Sequence, residues 1–168
     1  NPLKPQPVAR CEDRLAMLQR ATHDDDLFEI CEMEIHRPPP SYTIDTVETL
    51  QTRFGPEVEI HLAMGADMLA DLPKWHRAVE LLRMVHLAVA CRPPMKIDAV
   101  KQELGKLANT MKPLGLDVFH AKAVATPLVD ISSTDIRRRI AAGQRISELV
   151  SPSVEAYVRE HDLYKKNA

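Results

Sequence analysis

Ile131-Ser132-Ser133-Thr134-Asp135-Ile136-Arg137 is the stretch from which the rest of the chain can be read. It follows an apolar, strand-like run and opens an amphipathic helix. The first turn of a helix leaves backbone N–H groups without intrahelical acceptors, and its dipole favours an anion there. Ser132, Ser133 and Thr134 add hydroxyl donors at that point, and Arg137, Arg138 and Arg139 follow one turn on. Such chemistry suits a phosphate chain and points to nucleotide handling. A plainer reading also stands: Ser132 or Ser133 caps the helix, Asp135 completes a capping-box variant, and the arginines form a solvated face.

Outward from this run, helix-like and strand-like periods alternate. Val8, Cys11, Leu15, Leu18 and Thr22 recur at helical spacing and predict a helix over 8–23. Residues 28–36 read as a strand with a bulge near Cys31. Pro38 to Pro40 break the chain. Helix signals follow at Ser41 to Thr43, with Ile44, Val47, Leu50 and Phe54 on one face and Gly55-Pro56 closing it. Val58, Ile60, Leu62 and Met64 alternate as a strand that ends at Gly65-Ala66-Asp67, where a short helix starts. A helix over 78–85, a strand over 87–91, a helix marked by Ile97, Val100, Leu104, Leu107 and Met111, and a strand over 116–121 come next. A turn or strand is expected over 128–130, and the helix after Ser132 ends near Gly143. Ser151-Pro152 starts a last helix reaching about residue 161.

This order predicts an α/β fold: a Rossmann-like, mostly parallel sheet with helices on both faces and right-handed crossovers, in a single domain over 1–168. Ligands in such sheets sit beyond the carboxyl ends of the strands. The Gly65 and Ser132 motifs both fall at strand-to-helix junctions.

A chain of 168 residues with 45% hydrophobic residues can bury a sizeable core, which excludes a disordered protein. Its net charge of -2 gives no global basic field for nucleic acid, although a local basic cluster can still hold a small anion. Cys11, Cys31 and Cys91 are scattered and odd in number, so free thiols in a reducing cytoplasm are expected rather than disulfides or a zinc site. No apolar run reaches membrane-spanning length, and no signal peptide stands at the start. The opening Asn1-Pro-Leu-Lys-Pro reads like the middle of a loop, so the natural start is expected upstream.

Further candidates stand outside the opening run. Gly65 at a strand end lets a ligand approach the backbone, and Asp67 can accept hydrogen bonds from a ribose or base, or else cap a helix. Trp75, the single tryptophan, lies between Lys74 and His76. It suits ring stacking at a cleft edge, or else fills a surface groove. His23, His36, His61, His86, His120 and His161 have no ligand spacing along the chain and read as structural or surface residues.

Several runs occur together and in order: Asn1-Pro-Leu-Lys with Arg14-Leu-Ala-Met, Pro40-Ser-Tyr-Thr-Ile-Asp-Thr, Gly65-Ala-Asp with Leu72-Pro-Lys-Trp-His, Cys91-Arg-Pro, and the run at Ile131. With these the chain closely resembles the bacterial nicotinate-nucleotide adenylyltransferases of the HIGH-type nucleotidyltransferase superfamily. The Ile131 run is shared across that superfamily, while the Ser41 to Thr46 and Trp75 segments are particular to the nicotinate branch. The resemblance implies adenylyl transfer from ATP, with Mg²⁺, to nicotinate mononucleotide, giving deamido-NAD and pyrophosphate in NAD biosynthesis. It also implies a cytoplasmic enzyme without nucleic-acid or membrane partners; a homo-oligomer is left open, since the sequence does not give the oligomeric state.

Carried over residue by residue, the resemblance implies that Lys4, Gly65, Asp67, Ser132, Ser133, Thr134 and Arg137 bind ATP. Arg137 would stabilise phosphate charge during catalysis. Thr43, Trp75, His76 and Arg92 would bind nicotinate mononucleotide, with Trp75 stacked on the ring. No metal site of the protein's own is implied. His76 stands where many relatives carry tyrosine. The family's opening strand, Gly-rich turn and His-x-Gly-His signature do not occur in the 168 residues, so no catalytic histidine is assigned. Either that segment is encoded upstream of Asn1 or the chain is an inactive fragment. Two rivals share parts of the pattern: another superfamily member such as phosphopantetheine adenylyltransferase, and a non-catalytic nucleotide-binding module.

Overall fold

The computed structural model describes residues 9–91, 95–127 and 131–165. Its elements are α1 (Cys11–Thr22), α2 (Thr43–Phe54), β1 (Ile60–Gly65), α3 (Ala78–Met84), β2 (Val85–Ala90), α4 (Ile97–Met111), β3 (His120–Val124), α5 (Ser133–Ala141) and α6 (Pro152–Glu160). Short 3₁₀ turns occupy Ala66–Met68, Leu72–Lys74 and Lys112–Leu114. The described residues of 1–39 and 131–168 form one compact unit and those of 40–130 a second.

The second unit is an α/β layer with strand order β1-β2-β3, parallel throughout. Its register pairs Ile60 with Val85 and His86 with His120. Alternation along β2 buries Val85, Leu87 and Val89 while His86, Ala88 and Ala90 stay partly accessible. The buried face meets Ile44 and Val47 of α2, Leu81 and Leu82 of α3, and Val100, Leu107 and Met111 of α4 in one hydrophobic cluster. Helix α3 has only 7 residues, too few for a helix to persist alone in water. Leu81 and Leu82 are 0% and 1% exposed, and their burial contributes roughly 3–6 kcal/mol, enough to hold so short a helix. Gly55 closes α2 at φ 94, a left-handed value that a side chain would oppose.

In the first unit α1 packs on α6. The Tyr157 hydroxyl donates to Asp13 over 3.0 Å, and the Arg20 guanidinium lies 4.3 Å from the centre of the Tyr157 ring. Burial first, and then the Asp13 carboxylate, raise the Tyr157 phenol above its ordinary pKa. Ser151 caps α6 by accepting the Val154 N–H, with Pro152 in its first turn as the sequence suggests. Gly143 follows α5 at φ 68.

Three expectations need correction. The strand expected over 28–36 is a series of turns. The Asp25 carboxylate accepts the Leu27 N–H at 3.0 Å, and the Phe28 N–H reaches the Asp25 carbonyl at 3.2 Å. Leu27 and Phe28 are 89% and 62% exposed, so no buried face rewards an extended register there. The strand expected over 116–121 begins only at His120 and runs to Val124. Leu116 is buried next to the turn after α4 instead of pairing in the sheet. The first helix begins at Cys11, with residues 9 and 10 outside it, while residue 8 of the expected span lies outside the described residues. The turn or strand expected over 128–130 lies outside the described residues. No helix among the described residues is long and apolar enough to cross a membrane.

Candidate functional site

Helix α5 presents the opening motif. Ser132 is its N-cap, in extended conformation, and its hydroxyl accepts the Asp135 N–H at 3.1 Å. The capping reading is therefore correct for Ser132. The N–H groups of Ser133 and Thr134, in the first turn, have no intrahelical acceptor and remain available to an anion. Ser132, Ser133 and Thr134 are all exposed.

Asp135 sorts the three arginines. Its carboxylate takes Arg138 through one oxygen and Arg139, at 2.8 Å, through the other. These hydrogen bonds, Arg138's first, hold the carboxyl below its usual range. Among the described residues Arg137 has no carboxylate partner, and its guanidinium donates to the Thr134 hydroxyl at 3.2 Å. So Arg137 points back along the helix towards its N-terminal turn, its charge not paired with a carboxylate among the described residues. The capping box stays half-formed, because Asp135 turns to the arginines.

In the other unit, α2 and α3 each lead the chain back to the amino ends of β1 and β2. Their own N-termini therefore lie on the carboxyl side of the sheet, where the end of β1 also lies. Gly65 ends β1 with φ -75 and ψ 149, an ordinary extended conformation, so its backbone geometry does not demand glycine. Asp67 is exposed in the following 3₁₀ turn, whose N-cap is Gly65, and among the described residues it caps no helix.

Trp75 follows the second 3₁₀ turn, half-buried and packed against the hydrophobic cluster. Part of its surface thus belongs to the core. His76 is exposed and stacks on Tyr42, with ring centres 4.1 Å apart and planes 27° apart. Tyr42 is the residue before α2, so this stack sets Thr43, the first residue of α2, beside the Trp75-His76 segment. Arg77 ties the same elements together from a left-handed conformation, φ 52 and ψ 43. Its guanidinium reaches Glu48 of α2 at 2.8 Å and also pairs with Glu80 of α3. Those bonds, Glu80's before Glu48's, raise the guanidinium pKa further, while Arg77 holds the Glu80 carboxyl below its usual range. A non-glycine residue in that region is strained and needs such support.

The structure thus gathers Thr43, Trp75 and His76 in one unit, along with Gly65 and Asp67 at the end of β1. Ser132, Ser133, Thr134 and Arg137 gather in the other. Lys4 and Arg92 lie outside the described residues. Sequence reasoning assigned no role to Tyr42, Glu48 or Arg77. The Tyr42–His76 and Glu48–Arg77 contacts arise from tertiary packing, which no local period reveals; only the Arg77–Glu80 pair is local, three residues apart.

The family model for cytidylyltransferase-like proteins matches residues 1–139. A probable nicotinate-nucleotide adenylyltransferase of Dehalococcoides mccartyi (strain CBDB1) is 35% identical over 157 residues, covering 94% of this chain and 74% of the relative. One from Sodalis glossinidius is 37% identical over 172 residues, covering 98% and 79%. One from Yersinia pestis (strain Pestoides F) is 36% identical over 170 residues, covering 98% and 77%. The structure of Plasmodium falciparum nicotinic acid mononucleotide adenylyltransferase complexed with NaAD superposes with a TM-score of 0.68 at 15% identity, over 96% of this chain and 78% of that one. The same protein complexed with APC gives 0.70 at 16%, over 95% and 78%. At such identities the two structures establish the fold alone.

Proposed function

We propose, because the chain belongs to the cytidylyltransferase-like family and within it to the nicotinate-nucleotide adenylyltransferases, that it transfers the adenylyl group of ATP to nicotinate mononucleotide. The observation that carries this reading is the identity of 35% to 37% with such proteins over 94% to 98% of the chain, spanning both compact units. The same span supports one nucleotidyltransferase domain over 1–168.

In the reaction a phosphate oxygen of the mononucleotide attacks the α-phosphorus of ATP. The bond from that phosphorus to the β-bridging oxygen breaks, and pyrophosphate leaves with the electron pair. Such transfer depends on positioning and charge stabilisation rather than on a covalent enzyme intermediate. The N-terminal turn of α5 would hold ATP phosphates through Ser133 and Thr134 N–H groups and hydroxyls. Ser132 would add its hydroxyl at the edge of the cradle while it caps the helix. Arg137, uncompensated by a carboxylate among the described residues, would stabilise the charge that develops. Mg²⁺ would enter with ATP as part of the substrate and would supply charge neutralisation on its phosphates.

Gly65 would admit the adenosine close to the backbone, and Asp67 would accept its hydroxyl or amino donors. Trp75 would stack on the nicotinate ring, with Thr43 and His76 donating to its carboxylate. Lys4 is assigned to the ATP phosphates and Arg92 to the mononucleotide. The free thiols of Cys11, Cys31 and Cys91 support a cytoplasmic setting.

The test is pyrophosphate release from ATP with nicotinate mononucleotide, compared with the nicotinamide form. Turnover with the acid well above that with the amide is expected. Absence of turnover with both would overturn the function, and equal turnover would overturn the acid specificity.

A further inference from the structure

We propose that Glu59, His61 and His86 form a binding site for a divalent first-row transition metal, Zn²⁺ above all, clamped across strands β1 and β2. Parallel pairing places His61 directly opposite His86, and Glu59 lies two residues before His61, on the same face of the extended chain. Sequence spacing hides this group, since His61 and His86 are brought together only by strand register. Each residue offers one ligand atom, and the three atoms lie within 4.8 Å of one another. A Glu59 carboxylate oxygen stands 3.6 Å from His61 Nε2 and 4.0 Å from His86 Nδ1.

Ligand atoms about 2.0–2.1 Å from a tetrahedral zinc ion are about 3.3 Å apart. The two carboxylate–imidazole separations therefore need to close by less than an ångström, and the imidazole pair, within 4.8 Å, by at most about 1.5 Å. Glu59 and His61 side chains are 72% and 59% exposed, so torsions at their ends can supply that closure without moving the sheet. His86 is the anchored member, on the central strand at 34% exposure, flanked by His61 on one side and by the His120 ring, 4.4 Å away, on the other. Two imidazoles and a carboxylate are a donor set that suits zinc, copper and nickel. Three protein ligands leave a fourth position to water.

This group begins at the amino ends of the strands. The residues assigned to adenylyl transfer follow the carboxyl end of β1 or lie on other segments. Metal occupancy is thus separable from that activity.

The experiment is titration of the full chain with Zn²⁺ in competition with a chromophoric chelator, followed by Co²⁺ titration read by visible absorption. The wild-type chain is expected to take up one Zn²⁺ at the site and to give Co²⁺ d–d bands of a low-coordinate nitrogen–oxygen site. His61→Gln and His86→Gln should each weaken Zn²⁺ by about tenfold or more, because losing a ligand should cost at least the roughly 10- to 100-fold typical of residues that only orient one. Glu59→Gln should weaken it as well, since the carboxylate is the one anionic ligand, whereas His120→Gln should leave it nearly unchanged because that ring is a neighbour and not a ligand. Circular dichroism of each variant establishes that the sheet is intact, and the exposed Glu59 gives a variant least exposed to misfolding. Equal Zn²⁺ affinity in the wild type and the His61→Gln/His86→Gln double variant would overturn the proposal, because binding would then lie elsewhere, at the thiols for instance. Failure of the wild type to bind at all would do the same.

Discussion

Replacing Trp75 with alanine should raise the KM for nicotinate mononucleotide about 5- to 150-fold, the factor that corresponds to roughly 1–3 kcal/mol for an aromatic stacking on one ring. Trp75 is half-buried against the hydrophobic cluster, so only part of the indole can face a ligand. The lower half of that range is therefore expected. The same burial means that truncation also costs stability. Full truncation of a buried tryptophan costs about 3–5 kcal/mol, and half-burial brings this to about 2 kcal/mol. That loss must be separated from the loss in binding. Urea unfolding gives the first quantity, and steady-state kinetics at temperatures where the variant remains folded give the second. Trp75→Phe keeps a flat ring and should recover most of the mononucleotide KM together with part of the lost packing, so binding is read against the stability measured for each variant. The KM for ATP should stay within about twofold in both variants, because no adenosine role falls on this residue. Equal weakening of ATP and mononucleotide by Trp75→Ala, with no recovery in Trp75→Phe, would refute stacking and leave Trp75 as a core residue.

Arg137→Ala should lower kcat by about 10²- to 10³-fold, the range for losing one positioned charge stabiliser, whereas Arg138→Ala, which removes only a partner of Asp135, should change it little. Similar kcat values for the two variants would remove the distinction drawn from their ion pairs. Asp135→Asn tests the same geometry through acid stability. Because arginine hydrogen bonds depress the carboxyl pKa, its stabilisation is fully present above the ordinary value near 3.8 and disappears as pH falls through the lower folded value. The difference in Tm between wild type and Asp135→Asn should be constant above pH 5 and shrink below pH 4; a difference that grows with acid would show the sign to be wrong.

Alternation made the sheet legible. Val58, Ile60, Leu62 and Met64 announce β1, and helical spacing announces α2 and α4, because each element must offer a core one apolar face. Residues 28–36 have apolar side chains too, but on both parities. The Asp24-Asp25-Asp26 run before them competes for the backbone, with Asp25 drawing the Leu27 N–H into a turn. Where apolar residues find no common face, local hydrogen bonding decides the conformation. The delayed start of β3 has the same cause: Leu116 is buried beside α4, and pairing with β2 begins only where His120 meets His86.

The site divides along a similar line, between contacts set by helix pitch and contacts set by packing. On a helix, residues three and four apart are neighbours while residues two apart are not. Asp135 can therefore reach Arg138 and Arg139 but not Arg137, and the structure has these two pairs. The sequence alone contains enough to single out Arg137 from the three arginines, by subtraction. No such rule could pair His76 with Tyr42, or Arg77 with Glu48. Those contacts exist because the α2 and α3 N-termini both return to the carboxyl side of one parallel sheet. Topology brings them together, and the strained backbone at Arg77 shows that the segment is held there by its partners. If that strain positions Trp75 and His76 for a ligand, loosening it through Glu48→Gln should raise the mononucleotide KM while the stability of the sheet core, which Glu48 does not enter, is kept.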